Sequence, residues 1–241
     1  MKKIFFLILL STIHSISQNL NEGEITYKVV CNTCYNTKEK KSEIEKIEDL
    51  IYKDLEQVNF ILIFKDKESF FELQDKVYSD NSTINKSIIK ALIIGGDYYL
   101  DLNKDIQIQE KTIMGQRFLI KTNPSSVQWK ITTEQKEIDG YLCFKAIKNE
   151  KIINSVGTFE NEIVAWFTPA LPFQFGPKNH NSLPGLIVVL HDKKFSYYVD
   201  KINLNPILNE LSKIKKPDGK FITEEEFLNS ISKSTEKFKN Q

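Results

Sequence analysis

The chain has 241 residues, 41% of them hydrophobic and 11% aromatic, enough to bury a substantial core. Its 33 basic and 32 acidic residues leave a formal net charge of +1, so no electrostatic case exists for an anionic membrane surface or for nucleic acid. Arg117 is the sole arginine, which also removes the bidentate donors that read phosphate and guanine.

At the N-terminus, Lys2 and Lys3 precede an unbroken apolar run, 4–10, and Ser15-Ile16-Ser17 supplies small residues before Gln18. This is the three-part pattern of a cleavable secretory signal. Residues 1–17 are expected to be removed and 18–241 to work outside the cytoplasm, in the periplasm or beyond the cell. The rival reading is an uncleaved anchor, but the apolar run is far shorter than the ~20 residues needed to span a bilayer. No cysteine follows the run to carry a lipid, and no later stretch approaches the length of a membrane span.

Short alternating segments then dominate. Ile25, Tyr27 and Val29 alternate with polar neighbours, as a half-buried strand requires. Segment 58–64 is a denser apolar run, and Phe70-Phe71 follows a charged turn at 65–68. Gly95-Gly96-Asp97, flanked by Ile93-Ile94 and Tyr98-Tyr99, reads as a hairpin. Further strands are expected over 106–112, 116–121, 127–132, 141–147, 163–167, 186–191 and 195–202. Two segments carry helical spacing instead. Ile44, Ile47, Ile51 and Leu55 line one face of 40–55, either an amphipathic helix or a solvated charged insertion. Thr223 followed by Glu226 forms a capping box before Phe227, Leu228 and Ile231. The expected fold is α+β, mostly β. It is a curved antiparallel sheet wrapped like a half-barrel, with one helix in the N-terminal half and one at the C-terminus. With no repeat, linker or shift of composition, 18–241 reads as one domain.

Four of the seven prolines fall between Pro169 and Pro184, with Pro172 and Pro177 between them. Each fixes φ and restricts its predecessor, so the segment is a stiff loop between two strands. Trp166, Phe167, Phe173 and Phe175 accompany it. They are candidates for a ligand-binding rim, or alternatively for a core plug.

The same stretch carries a resemblance. Leu183-Pro184-Gly185-Leu186-Ile187, with Ser182 where a glycine usually stands, is similar to the signature of the GLPGLI family of exported proteins from Gram-negative bacteria. Ala165 through Pro177, including Pro169, Pro172 and Gly176, resembles a second block of that family. Further resembling blocks are residues 60–71, Trp129 to Ile138, Gly140-Tyr141-Leu142-Cys143-Phe144-Lys145-Ala146, and Lys201-Ile202 with Asn205-Pro206. The resemblance implies no defined activity. Members often accompany TonB-dependent outer-membrane receptors, which implies an envelope accessory or ligand-handling role. Many members also have a second cysteine, a partner for the central one, where Val199 stands here. Cys143 therefore lacks that partner. Physically the signature reads as structure, with Pro184 stiffening a turn, Gly185 allowing close approach and Leu186-Ile187 entering a strand.

Chemistry-bearing candidates are few. Cys31 and Cys34 form a C-x-x-C, which reads as a local disulfide, as a bridge from one of them to Cys143, or as a redox or metal pair. Past the signal only two histidines remain, His180 in the stiff loop and His191 at a strand end. They are weak metal candidates with the cysteine pair. No nucleophile elbow, zinc-protease, phosphate-loop or dinucleotide fingerprint is present. The expectation is a non-enzymatic envelope protein without cofactor that binds a small ligand or an envelope partner, the runner-up being metal or redox handling at Cys31 and Cys34.

Overall fold

In the computed structural model, residues 21–32, 52, 55, 58–74, 86–113, 115–126, 128–154, 157–206 and 211–239 are described. The expected signal peptide, Cys34 and nearly all of the expected helix over 40–55 lie outside them. Of that helix only Tyr52 and Leu55 are placed, both buried.

Among the described residues twelve strands make one sheet. The chain starts in its middle with β1 (Glu22–Cys31). It then meanders outward through β2 (Phe60–Lys65), β3 (Glu68–Leu73), β4 (Asp97–Asp101), β5 (Ile106–Ile113) and β6 (Gln116–Thr122). It next reappears at the far edge as β7 (Lys130–Ile138). From there β8 (Tyr141–Asn154), β9 (Gly157–Thr168), β10 (Leu186–His191) and β11 (Phe195–Asn203) meander back, and β11 pairs with β1. All these pairs are antiparallel; a two-residue β12 (Phe221–Ile222) adds in parallel beyond β6.

The connection from β6 to β7 dictates the shape. Ten strand spacings separate those strands in the sheet order, which is about 48 Å if the sheet were flat. The chain between Thr122 and Lys130 reaches no more than about 27 Å. The sheet therefore curls until its two margins approach, an unclosed barrel, in agreement with the half-barrel expected from the strand pattern.

Strand composition follows from that curl. Ile25, Tyr27 and Val29 of β1 point inward with Phe60, Leu62 and Phe64 of β2, Phe71 of β3 and Tyr197 of β11. The alternate residues Ile61 and Ile63 of β2 are buried on the outside beneath Leu211 and Ile214. Hence β2 is apolar on both faces, which is why 58–64 reads as a continuous hydrophobic run. Outside β4 to β6, Tyr99, Ile108 and Leu119 are covered by Ile214 and Phe221.

Two helical elements matter among the described residues. Helix α1 (Lys86–Ile89) continues in a wider π turn, Lys90–Ile94, that buries Ile93 and Ile94 in the interior. This corrects the hairpin expected at Gly95-Gly96. Ile93 and Ile94 are not a strand, and Gly95 ends the helix at φ 73° with its N–H donating to Lys90 O. The local signal was real, since glycine takes that left-handed position without strain, but it marks a helix stop rather than a strand turn. Helix α2 (Glu224–Lys239) starts at the expected capping box. Thr223 N donates to Glu226 Oε2 at 2.8 Å and Glu226 N to Thr223 Oγ1 at 3.1 Å. Its Phe227 packs edge-on against Phe118 of β6.

Candidate functional site

The proline-rich segment between β9 and β10 turns inward and fills the barrel. Trp166, Phe167, Phe173 and Phe175 are 9%, 2%, 6% and 2% exposed, so these aromatics lie in the core and present no rim to solvent. The physical reason is the curl itself: its concave interior needs large side chains. Phe173 and Phe175 supply them by packing on Phe64, with ring centroids 4.5 and 5.3 Å away. The Lys136 ammonium lies 4.1 Å over the Trp166 ring.

The signature residues hold this plug in place. Leu186 N donates to Leu171 O at 2.9 Å, Ile187 N to Phe175 O at 3.0 Å, and the buried Tyr27 hydroxyl to Ile187 O at 2.7 Å. A Cβ on Gly185 would stand 2.1 Å from Thr168 O and 2.9 Å from Pro169 N, so only glycine lets the two backbone segments touch. At Gly176 a Cβ would meet Ile187 at 2.7 Å. Leu183 is buried beside them, while Pro169, Pro172 and Pro184 edge the loop and are exposed. Pro177 opens a short 3-10 turn, Pro177–Asn179.

At one end of the barrel the interior turns polar. On β5, Gln107, Gln109 and Lys111 share a face with period two, the opposite face to buried Ile108. On β8 and β9 the directly opposed pairs are Ala146 with Ala165, Lys148 with Ile163, and Glu150 with Asn161. The shared face thus passes from apolar to charged along the strands. The plug loop adds Lys178, Asn179, His180 and Asn181. Lys178 (φ 55°) and Asn179 (φ 58°) both adopt the left-handed conformation. The Asn179 side chain holds them there by donating to Tyr99 O at 3.0 Å.

These groups form a connected network. Lys148 Nζ lies 2.6 Å from Glu150 Oε1 and 4.9 Å over the Trp129 ring. His180 is buried, edge-on to Trp129, with Nδ1 3.7 Å from Glu150 Oε1. Burial, aided by the Lys148 and Lys178 charges, keeps the His180 imidazole well below its ordinary pKa and therefore neutral. Burial likewise lowers the Lys148 ammonium. Trp129 Nε1 donates to Asn181 O at 2.9 Å, and Asn181 Nδ2 to Gln107 Oε1 at 3.3 Å, so one loop residue ties the two margins of the curl together.

Above this network opens a cavity of about 530 Å³, within the range of small-molecule sites. Its lining combines the apolar Ile93 and Ile94 of the π turn, Ile163 of β9 and Phe195 of β11 with Lys111, Lys178, Lys193, Lys194, Gln109 and Asn161. Two carboxylates line it, Asp192 and Glu150. Each is engaged: Asp192 Oδ2 accepts Lys178 Nζ at 3.2 Å, and Glu150 accepts Lys148.

The structure does not bring the metal candidates together. His180 faces Glu150, whereas His191 Nδ1 lies 2.7 Å from Ser196 Oγ on the neighbouring strand. Among the described residues no group of three His, Cys, Asp or Glu could hold a metal ion. Cys31 is buried at the end of β1, and Cys143 is a buried free thiol, which removes the bridge to Cys143 as an arrangement. Burial raises the Cys143 thiol pKa and keeps it protonated.

Sequence reasoning missed Lys111, Lys148, Glu150, Asn161 and Lys178. The available signal was polar residues at period two, such as Gln107, Gln109 and Lys111, whose inward direction only the curl defines.

With this geometry in place, comparison with known proteins adds two findings. A family model described as "Protein of unknown function (Porph_ging)" matches residues 149–189, from the polar end of β8 through the plug and into β10. The chain is thus similar to an uncharacterised family over its signature region. No curated protein matches the chain. Among solved structures, PNGF-II in a C2 crystal form is 16% identical with a TM-score of 0.52, and the same protein in a P21 form is 15% identical with a TM-score of 0.51. This chain is covered over 88% and 89% of its length but spans only 33% and 34% of PNGF-II. At that identity the likeness is one of fold alone.

Proposed function

We propose that the protein is exported and acts without catalysis, binding a small ligand in the open polar end of its barrel as an accessory of the cell envelope. The observation that carries this is the cavity of about 530 Å³ at that end. It is walled by a plug whose glycine contacts fix it in place, while the plug aromatics expected as a binding rim are spent on the core. The N-terminal signal pattern supports export, and the resemblance to proteins that accompany TonB-dependent receptors supports a link to outer-membrane uptake. Among the described residues no helix is long and apolar enough to cross a membrane. In an oxidising compartment Cys31 and Cys34 form a local disulfide, which leaves Cys143 as the remaining thiol.

Native mass spectrometry of the protein purified from its own envelope fraction tests the binding reading. The expected result is a retained small-molecule adduct that organic solvent strips away. A spectrum showing only the bare chain under gentle desolvation, together with no shift in melting temperature on return of the extracted envelope small molecules, would sink it.

A further inference from the structure

The cavity is asymmetric in charge and in hydrogen bonding, and both asymmetries concern the same few residues. Its lining carries four lysines against two carboxylates. Lys178 pairs with Asp192 at 3.2 Å, and Glu150 is taken by Lys148 from below at 2.6 Å. Lys111 has no such neighbour: among the described residues its ammonium meets only the Phe227 ring, 5.0 Å to the centroid, and no carboxylate at ion-pair distance. Partly buried beside α2, where the Glu224 carboxylate acts on it only from beyond ion-pair distance, it is incompletely compensated, and burial lowers its pKa.

Asn161 makes the second point. Its residue is 9% exposed, it lines the cavity, and its side-chain amide has no hydrogen-bond partner among the described residues. None of its side-chain atoms is a fully enclosed orphan, so the amide is solvated from the cavity, and a ligand acceptor can take the place of that water. Gln109, by contrast, is already satisfied by Gly95 O at 3.1 Å and the Tyr98 hydroxyl at 2.6 Å. The same cavity also presents Ile93, Ile94, Ile163 and Phe195, apolar surface that hydrates poorly.

We infer that the cavity takes an amphiphilic organic anion, a carboxylate or phosphate head on an apolar body. The head sits at Lys111 and Lys178 and accepts from the Asn161 amide, while the body lies against Ile93, Ile94, Ile163 and Phe195. The inference rests on the binding reading above and adds the chemistry of the ligand. Lysine suits the task because its point charge serves either head group, whereas selective bidentate grip would call for arginine.

Titration calorimetry of the mature chain at low ionic strength tests it with four probes sharing one tail: octanoate, octyl phosphate, octyltrimethylammonium and 1-octanol. Octanoate and octyl phosphate are expected to bind one equivalent, and whichever is tighter identifies the head group. The cation is expected not to bind, and 0.5 M salt is expected to weaken the anions several-fold. Lys111→Gln and, separately, Asn161→Leu are expected to weaken the anions about tenfold at unchanged melting temperature, with Lys111→Arg restoring most of the affinity. If the alcohol or the cation binds as tightly as the anions, the cavity binds a ligand but this inference falls. If Lys111→Gln binds anions like the parent, it falls too. If no probe binds, the inference falls, while a retained adduct in the native mass spectrum would leave the broader binding reading standing.

Discussion

At Gly185 the backbone of the signature lies directly against that of Thr168 and Pro169, with φ at 159°. An alanine there would need two main-chain segments to part, and neither is the free end of a flexible side chain. Gly185→Ala is therefore expected to cost about 3 kcal/mol or more, read as a lower urea midpoint at unchanged slope. His180 makes a different kind of claim. Its folded-state pKa is depressed, so in the window below the ordinary imidazole value of about 6.5 the unfolded chain binds more protons than the native one. The contribution is complete above that pH and is lost as pH falls through it. The melting temperature should drop between pH 7 and pH 5, and His180→Gln should flatten part of that drop. His191, shifted in the same direction by burial, accounts for a further share, so a drop left unchanged in both single variants would overturn this account. Neither residue's environment was legible beforehand. Sequence shows a histidine between two asparagines, but its neutrality comes from burial and from the Lys148 and Lys178 charges, which surround it only after the sheet curls.

Elements were more readable than residues, where their signals are local. Strand β10 spans the expected 186–191, because Leu186 to Leu190 is apolar throughout and Gly185 and Asp192 bound it. Strands β8 and β9 run on well past the expected segments, since their polar distal halves pair with each other and need no apolar face. The capping box at Thr223 and Glu226 was explicit in the sequence and forms with both hydrogen bonds. Removing it by Thr223→Ala should destabilise α2 by about 1 kcal/mol. Amide exchange over the helix should then quicken about fivefold, with the exchange of β1 and β10 unchanged. A global effect of the same size on those strands would show that α2 is welded to the main core rather than seated at the β6 margin through Phe227 and Phe118. At Gly95-Gly96 the sequence failed instructively. Two β-branched residues before a glycine pair suit a hairpin locally, and only the burial of Ile93 and Ile94 inside the curl makes them helical.

For the whole molecule, the count and spacing of strands were enough to predict a wrapped antiparallel sheet, and that is what forms. What the spacing could not convey is order. The middle strand is the first, the margins are the sixth and seventh, and a loop near residue 180 fills the centre. The candidate cavity draws Lys111 from one meander and Asn161 from the other, with Lys178 from the plug between them. No window along the chain contains all three, so periodicity and motif reading had no purchase on it.

Placing β1 between β2 and β11 also sets a timetable. Val29 and Tyr197 are partners from opposite ends of the sheet's run through the sequence, so the central seam cannot zip until the last long strand has been made. Such non-local pairing slows folding, because the entropy of closing so large a loop is lost before its contacts return anything. An emerging polypeptide would have its outward meander, β2 to β6, ready long before a second side exists to cover Tyr27 and Phe60. The export proposed above would gain from that delay, because an architecture that stays uncommitted until the last long strand arrives leaves a chain that can still be threaded through a membrane pore.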